Sequence, residues 1–212
     1  NNEMTLDIGA GTGKLTKLLF KFKLNILAIE PNQAMLKIGK KNVPKIKWIK
    51  KNAESTKIKK GTIDNIFFGS SFNVINFKKT VRELKRILKV NGKVICIWNH
   101  RVLNDKHQKQ IEKIIFRFLP NYQYGLRRED IRPLLRKSKS FVNIKKYEKK
   151  FYIDMKIKDI ILAWKSHATL KRQAKNVFND IIVEISNYLV NLKKNRIKVP
   201  YKTVLYYSEI KK

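Results

Sequence analysis

The stretch that decides the fold is Met4-Thr-Leu-Asp-Ile-Gly-Ala-Gly-Thr-Gly-Lys14. Its first five residues are largely apolar and suit a buried strand, and a helical pattern follows it. Gly9, Gly11 and Gly13 supply the turn between them, because a residue without a Cβ adopts tight conformations and lets a ligand approach the backbone. A glycine-rich turn between a strand and a helix is typical of nucleotide-binding α/β sheets.

The spacing of the glycines discriminates among cofactors. A dinucleotide fingerprint requires glycine where this chain has Lys14, and the Gly-Lys-Ser/Thr ending of a phosphate-binding loop is absent. Asp7 adds a carboxylate that complements a cationic group. S-adenosylmethionine (SAM) carries an ammonium group and no pyrophosphate. The turn formed by Asp7, Gly9, Ala10 and Gly11 therefore favours SAM.

A second candidate lies where the next strand ends, at Glu30, which is followed by Pro31. Neighbouring parallel strands end at the same edge of a sheet, so we expect Glu30 beside the glycine turn. Its two oxygens are able to accept both hydroxyl groups of a ribose. The alternative is an acid that stabilises the next helix through its macrodipole, which contributes about 0.3–1 kcal/mol.

A third candidate is the loop Asn52-Ala53-Glu54, which follows a short apolar strand. In a sheet of this kind the loop borders an adenine ring, and Ala53 and Glu54 are the predicted contacts. An ordinary polar loop is the alternative.

Alternating strand and helix patterns predict a parallel sheet built from βαβ units. The first half predicts strands at 3–8, 25–30, 46–50, 63–68 and 93–98 and helices at 14–22, 33–41 and 78–88. The second half predicts helices at 111–118, 128–137, 159–170 and 174–194 and strands at 141–153 and 199–210. We expect an α/β fold with a Rossmann-like doubly wound sheet and helices on both faces. It forms one domain over 1–212, with a cofactor-binding core at 1–99 and substrate-side helices and final strands at 100–212.

The charge balance is strongly basic. Lysine and arginine number 49 against 16 acidic residues, which gives a formal net charge of +33. A field of this sign attracts polyanions, so nucleic acid is one candidate partner. Lysine, isoleucine and asparagine are abundant throughout the chain, as AT-biased coding produces, and this explanation stays open beside the first.

The chain has a single cysteine, Cys96, which excludes an internal disulfide and a multi-cysteine zinc site. We expect no bound metal. No apolar run approaches the ~18 residues that span a bilayer. These features predict a cytoplasmic protein without a membrane span.

Four stretches resemble the class I SAM-dependent methyltransferases, in particular a generic branch with trans-aconitate methyltransferase-like enzymes that act on small molecules. They are Leu6-Asp-Ile-Gly-Ala-Gly-Thr-Gly-Lys-Leu-Thr16, Ala28-Ile-Glu-Pro-Asn-Gln-Ala-Met35, Ala53-Glu54 and residues 62–99. The resemblance implies SAM as methyl donor and S-adenosylhomocysteine as product. It also implies a mostly parallel, seven-stranded sheet with an antiparallel last strand.

The resemblance further implies that Met35 flanks the adenine or ribose, and that Ser70 and Ser71 line the methyl-transfer site. Asn73 stands where that branch commonly has the histidine of a Phe-His-Trp motif, so it becomes a substrate-side candidate without an imidazole. Family members usually carry a further segment before the first strand. We therefore expect that the chain is either trimmed or incomplete at its N-terminus.

Methyl transfer requires in-line geometry at ~3–3.5 Å and exclusion of water more than a particular acid or base. No catalytic residue is assigned on this basis. His100 is a candidate base, with a bystander role as the alternative. Tyr122 and Tyr124 are candidate walls of a substrate pocket, with a core or surface position as the alternative.

Methylation of RNA is the main rival function. Ribosomal RNA adenine dimethyltransferases also carry Leu-Thr after the glycine turn, as at Leu15-Thr16. Their Asn-x-Pro-aromatic motif after strand four is replaced here by Gly69-Ser-Ser-Phe-Asn73, which disfavours amino-adenine chemistry. The sequence thus predicts a small-molecule methyltransferase, with an RNA methyltransferase and a non-catalytic SAM-fold binding protein as alternatives.

Overall fold

The computed structural model describes residues 3–211, apart from the side chain of Leu126. The strands are β1 (Met4–Ile8), β2 (Asn25–Ile29), β3 (Lys47–Ile49), β4 (Ile63–Gly69), β5 (Leu88–Arg101), β6 (Phe141–Lys156) and β7 (Arg196–Ile210). The α-helices are α1 (Lys14–Lys21), α2 (Gln33–Asn42), α3 (Phe77–Ile87), α4 (Lys106–Phe118), α5 (Arg132–Lys137), α6 (Ile157–Lys165), α7 (Ala168–Ala174) and α8 (Phe178–Val190). Within residues 3–211 no helix is long and apolar enough to cross a membrane.

The seven strands form one sheet in the order β3-β2-β1-β4-β5-β7-β6. The pairs β1/β2, β1/β4, β2/β3 and β4/β5 are parallel. The strand order reverses direction after β1, so the carboxyl end of β1 lies at the switch point where α/β folds bind ligands.

The last strand, β7, runs antiparallel to β5. Ser208 Oγ donates to the carbonyl of Val94, and further along β5 the Val102 amide donates to the carbonyl of Pro200. Residue numbers along β7 therefore decrease as those along β5 increase, which is the antiparallel arrangement. This confirms the predicted Rossmann-like sheet, mostly parallel with an antiparallel last strand.

The described chain divides into two compact units. Among the described residues, the first comprises 3–98, 130–147 and 204–211, and the second comprises 99–129 and 148–203. The prediction of one domain over 1–212 stays a prediction, and residues 1, 2 and 212 lie outside the described part.

Each unit has its own hydrophobic core. In the first unit, β1 and β4 contribute Leu6, Ile66 and Phe68, all fully buried. In the second unit, Ile115 of α4 and Ile185 of α8 are fully buried in a separate cluster.

Side-chain caps explain where several helices begin. Asn32 accepts a hydrogen bond from the Met35 amide at the start of α2, and Asn76 accepts one from the Lys79 amide at the start of α3. Asp105 accepts from two backbone amides at the start of α4. Each such cap satisfies donors that the first helical turn leaves free.

The predicted helix at 159–170 is two helices in the structure. His167 lies between them, and its Nδ1 accepts a hydrogen bond from the Leu170 amide as the N-cap of α7. The predicted helix at 174–194 begins later, at Phe178, because Lys175 adopts a left-handed φ of 45°. Helical periodicity continues across both breaks, so it does not reveal them.

Candidate functional site

The glycine turn is hydrogen-bonded to the end of β2. The amides of Gly9 and Ala10 both donate to the carbonyl of Ile29, at 2.9 and 3.0 Å. Gly9 has a φ of +69°, and a Cβ built on it would lie only 2.6 Å from Ser71 Cβ. A Cβ on Gly11, by contrast, would have only Met35 Sδ within 4 Å, at 4.0 Å. The turn is therefore closely packed at its first glycine and accessible at its second.

Glu30 lies beside this turn, as the sequence predicts, and is 5% exposed. Its Oε2 accepts the Gly11 amide and its Oε1 accepts the Asn32 amide, both at 2.8 Å. A carboxylate oxygen accepts more than one hydrogen bond, so acceptor capacity remains for hydroxyl groups. Since Asn32 is also the N-cap of α2, the same carboxylate supports the start of that helix.

Asp7 is fully buried at the end of β1. Its Oδ2 accepts the hydroxyl of Thr16 at 2.6 Å, whereas Oδ1 has no hydrogen-bond partner among residues 3–211. Burial, with a further contribution from the nearby Glu30 carboxylate, raises the pKa of Asp7 to about 6. Two acids are thus held close together at the glycine turn.

These residues fit the group that the sequence predicts. SAM carries positive charge on its sulfonium and ammonium groups, which relieves the repulsion between two buried carboxylates. The partnerless Oδ1 of Asp7 marks a buried acceptor that lacks a donor, and such groups are rare in native proteins. The spare acceptor capacity of Glu30 suits a ribose.

Other candidates of the first unit lie on loops and helix starts around the sheet. Ser71 is buried and its hydroxyl donates to the Ile8 carbonyl at 2.5 Å, while Ser70 is exposed with a φ of 60°. Asn73 accepts the indole N–H of Trp98 at 3.2 Å, so its side chain is engaged within the protein. Pro31 is exposed.

The predicted adenine loop is ordered by its own hydrogen bonds. Ala53 is buried in the main core, and Glu54 Oε1 accepts the Asn76 amide at 2.7 Å. The Glu54 carboxylate therefore supports the start of α3. Contact of either residue with adenine stays a prediction.

His100, Tyr122 and Tyr124 lie together in the second unit, where they line a cavity of about 190 Å³. Its other lining residues include three arginines, Arg101, Arg127 and Arg128, and the aromatic side chains of Trp164, His167 and Tyr201. The sequence analysis identified none of these six. The adjacent pair Arg127-Arg128, in a chain whose cations are mostly lysine, is the signal that points to the cavity.

Several titratable side chains that line the cavity have shifted pKa values. Burial, together with the nearby arginines, lowers the pKa values of His100 and His167 to about 4, so both imidazoles are neutral at pH 7. Burial, with a further contribution from its hydrogen bond to Glu112, raises the pKa of Tyr124 far above its usual value. A base role for His100 stays a prediction, and its lowered pKa makes it a weak base.

Comparison with known proteins bears on the first unit. A sequence profile for a methyltransferase domain matches residues 6–96, which contain the glycine turn and Glu30. This match supports the predicted class I SAM-dependent methyltransferase family for these residues. The trans-aconitate methyltransferase-like branch within that family stays a prediction.

Relatives of this methyltransferase domain include the C-methyltransferase of ubiquinone and menaquinone biosynthesis from Zymomonas mobilis. It is 33% identical over 103 residues, which cover 45% of this chain and 42% of that protein. The chain spans 40% to 42% of the length of the first curated relatives it matches.

Solved structures share the methyltransferase fold over nearly the whole chain. A candidate type II methyltransferase from Anaeromyxobacter dehalogenans superposes with a TM-score of 0.65 at 12% identity, covering 97% of this chain and 88% of that one. Phosphoethanolamine N-methyltransferase 2 from Haemonchus contortus, solved with S-adenosylhomocysteine, gives a TM-score of 0.54 at 14% identity, covering 98% and 48%. Likeness at these identities shows the fold alone.

The raised pKa of Asp7 predicts a pH-dependent loss of stability. The folded state holds its proton up to about pH 6, whereas the unfolded chain releases it near 3.8. The contribution of protonated Asp7 to the free energy of unfolding is therefore complete below pH 3.8 and is lost as the pH rises through 6. Relative to Asp7→Asn, the unmodified chain is expected to lose about 2 kcal/mol of unfolding free energy between pH 4 and 7.5.

Urea unfolding of both proteins across this pH range measures the difference. A parallel pH dependence of the two proteins would show that Asp7 titrates normally in the folded state. Saturating SAM at pH 7.5 is expected to raise the stability of the unmodified chain more than that of Asp7→Asn.

Proposed function

We propose that this chain binds SAM at the glycine turn and transfers its methyl group to a small molecule. The observation that carries the proposal is the pair of buried acids, Asp7 and Glu30, at the switch point of a chain whose net charge is +33. A strongly basic protein that keeps two carboxylates close together in its interior is suited to a cationic ligand there.

In this proposal, each residue in and around the turn contacts a different part of SAM. Glu30 accepts the ribose hydroxyls, and Asp7 complements the positive charge of the methionine part. Ala10 and Gly11 present backbone without a bulky side chain. Met35, Pro31, Ala53 and Glu54 border the nucleoside, and Ser70 completes the cofactor side.

When bound, SAM supplies an electrophilic methyl group. The protein's part is to align an acceptor with that methyl group and to exclude water. Ser71 and Asn73 are the acceptor-side residues of the first unit in this proposal. No general base is assigned.

The proposal is tested with purified protein, methyl-labelled SAM and a cell extract that is fractionated into small molecules, RNA and protein. Label is expected in the small-molecule fraction, and Glu30→Gln is expected to lower it strongly when SAM is present near the Kd of the unmodified chain. Label confined to RNA would contradict the acceptor class and favour the rival function that the charge suggests. SAM binding without label in any fraction would contradict methyl transfer itself.

A further inference from the structure

The cavity of the second unit has an excess of fixed positive charge. Three guanidinium groups line it, and its single carboxylate is that of Glu112. Both Glu112 oxygens are engaged, one by the side-chain amide of Gln108 and the other by the hydroxyl of Tyr124. Among the described lining residues, three guanidinium groups therefore stand against one carboxylate that already accepts two hydrogen bonds.

Aromatic rings hold two of the arginines in place. The Arg101 guanidinium lies 4.4 Å from the centre of the Trp164 ring, and that of Arg128 lies 5.3 Å from the centre of the Tyr124 ring. Within residues 3–211 no ion pair joins Arg101, Arg127 or Arg128 to a carboxylate. Burial lowers the pKa values of Arg127 and Arg128, which reflects the cost of holding charge there.

Two residues that line the cavity also have buried polar atoms without partners. His100 Nδ1 and Trp164 Nε1 are buried and have no hydrogen-bond partner in the described part of the chain. His167 uses its Nδ1 as an acceptor, so its neutral ring carries the proton on Nε2. Buried groups of this kind are normally satisfied, in native proteins, by a neighbour, by water or by a ligand.

We propose that this cavity binds a compact organic molecule that carries a carboxylate or phosphate group. The planar fork of an arginine matches either oxyanion in a bidentate manner, and three guanidinium groups against one carboxylate leave net positive charge in the lining. A volume of about 190 Å³ suits a small metabolite.

The test is calorimetric titration of the full chain with citrate and, separately, with inorganic phosphate, at constant ionic strength and without SAM. We expect at least one probe to bind with a Kd below about 1 mM. Arg127→Gln and Arg128→Gln are each expected to weaken that binding about tenfold or more, as loss of a charge-assisted hydrogen bond predicts. The tighter probe identifies whether carboxylate or phosphate is preferred.

Arg172→Gln is the matched control, because Arg172 belongs to the same unit but is exposed and lies outside the cavity. An equal effect of this control would show that the overall charge of the chain attracts the probe, and would overturn the proposal. Absence of binding by both probes would overturn it as well.

Arg127→Lys separates loss of recognition from misfolding, since it keeps the charge and removes the fork. It is expected to keep the melting temperature of the unmodified chain and to weaken binding. Unchanged binding in this variant and in Arg127→Gln would contradict the assignment. Because SAM is absent from the titration, failure here leaves the proposed methyl transfer untouched.

Discussion

Replacement of Glu30 by glutamine is expected to weaken SAM binding by about 100-fold. The carboxylate is proposed to accept both ribose hydroxyls, and each hydrogen bond to a charged group contributes about 1.5–3 kcal/mol. An amide has one acceptor oxygen and no charge, so one of these bonds is lost and the other is weakened. Calorimetric titration with SAM and with S-adenosylhomocysteine measures the change.

Glu184→Gln is the control for this variant. Glu184 is an exposed acid of α8 that pairs with Arg117, so its loss changes the net charge equally without touching the turn. The control is expected to bind SAM as the unmodified chain does. An affinity of Glu30→Gln within threefold of the control would contradict the ribose role. Thermal melting shows whether loss of the Gly11 and Asn32 contacts unfolds the variant.

Replacement of Gly9 by alanine is expected to destabilise the fold by about 2–5 kcal/mol. A left-handed backbone costs a residue with a Cβ about 1–2 kcal/mol. Overpacking of a closely packed site adds about 1–3 kcal/mol, because the new Cβ would lie 2.6 Å from Ser71 Cβ. Urea unfolding gives the difference in free energy.

Gly61→Ala isolates the backbone contribution to this loss. Gly61 has a φ of +67°, close to the +69° of Gly9, but a Cβ built on it has no atom within 4 Å. The control is therefore expected to lose only the cost of the left-handed conformation. Equal losses in the two variants would show that the contact with Ser71 relaxes freely and that the turn tolerates a side chain.

The position of Glu30 beside the glycine turn was predictable because its determinants are local. The glycine spacing, the acid two residues before it and the Glu30-Pro31 pair are each read within a few residues, and the switch-point rule places them together. The engagement of Glu54 by the Asn76 amide was not predictable, since it depends on a loop conformation that no short pattern encodes. The same holds for Asn73 and the Trp98 indole.

The arginine cavity was beyond prediction for a different reason. Its walls come from β5, α4, the loop before α5, the α6–α7 corner and β7, which are distant in sequence. His167 lies within a continuous helical pattern, and only the folded chain shows that it follows the end of one helix and caps the next. Tyr122 and Tyr124 were assigned as candidate pocket walls, but their relation to Glu112 and to the arginines required coordinates.

The core of the first unit extends far beyond the part of the chain that family comparison recognises. The matching profile ends at residue 96, yet Leu135, Phe141, Val204 and Ile210 are buried in the same cluster as Leu6 and Phe68. A polypeptide cut at the end of the recognisable homology would expose the apolar surfaces that these late residues cover. The region that matches the methyltransferase profile is therefore shorter than the region that forms the core. A minimal folded fragment of the first unit has to retain β7.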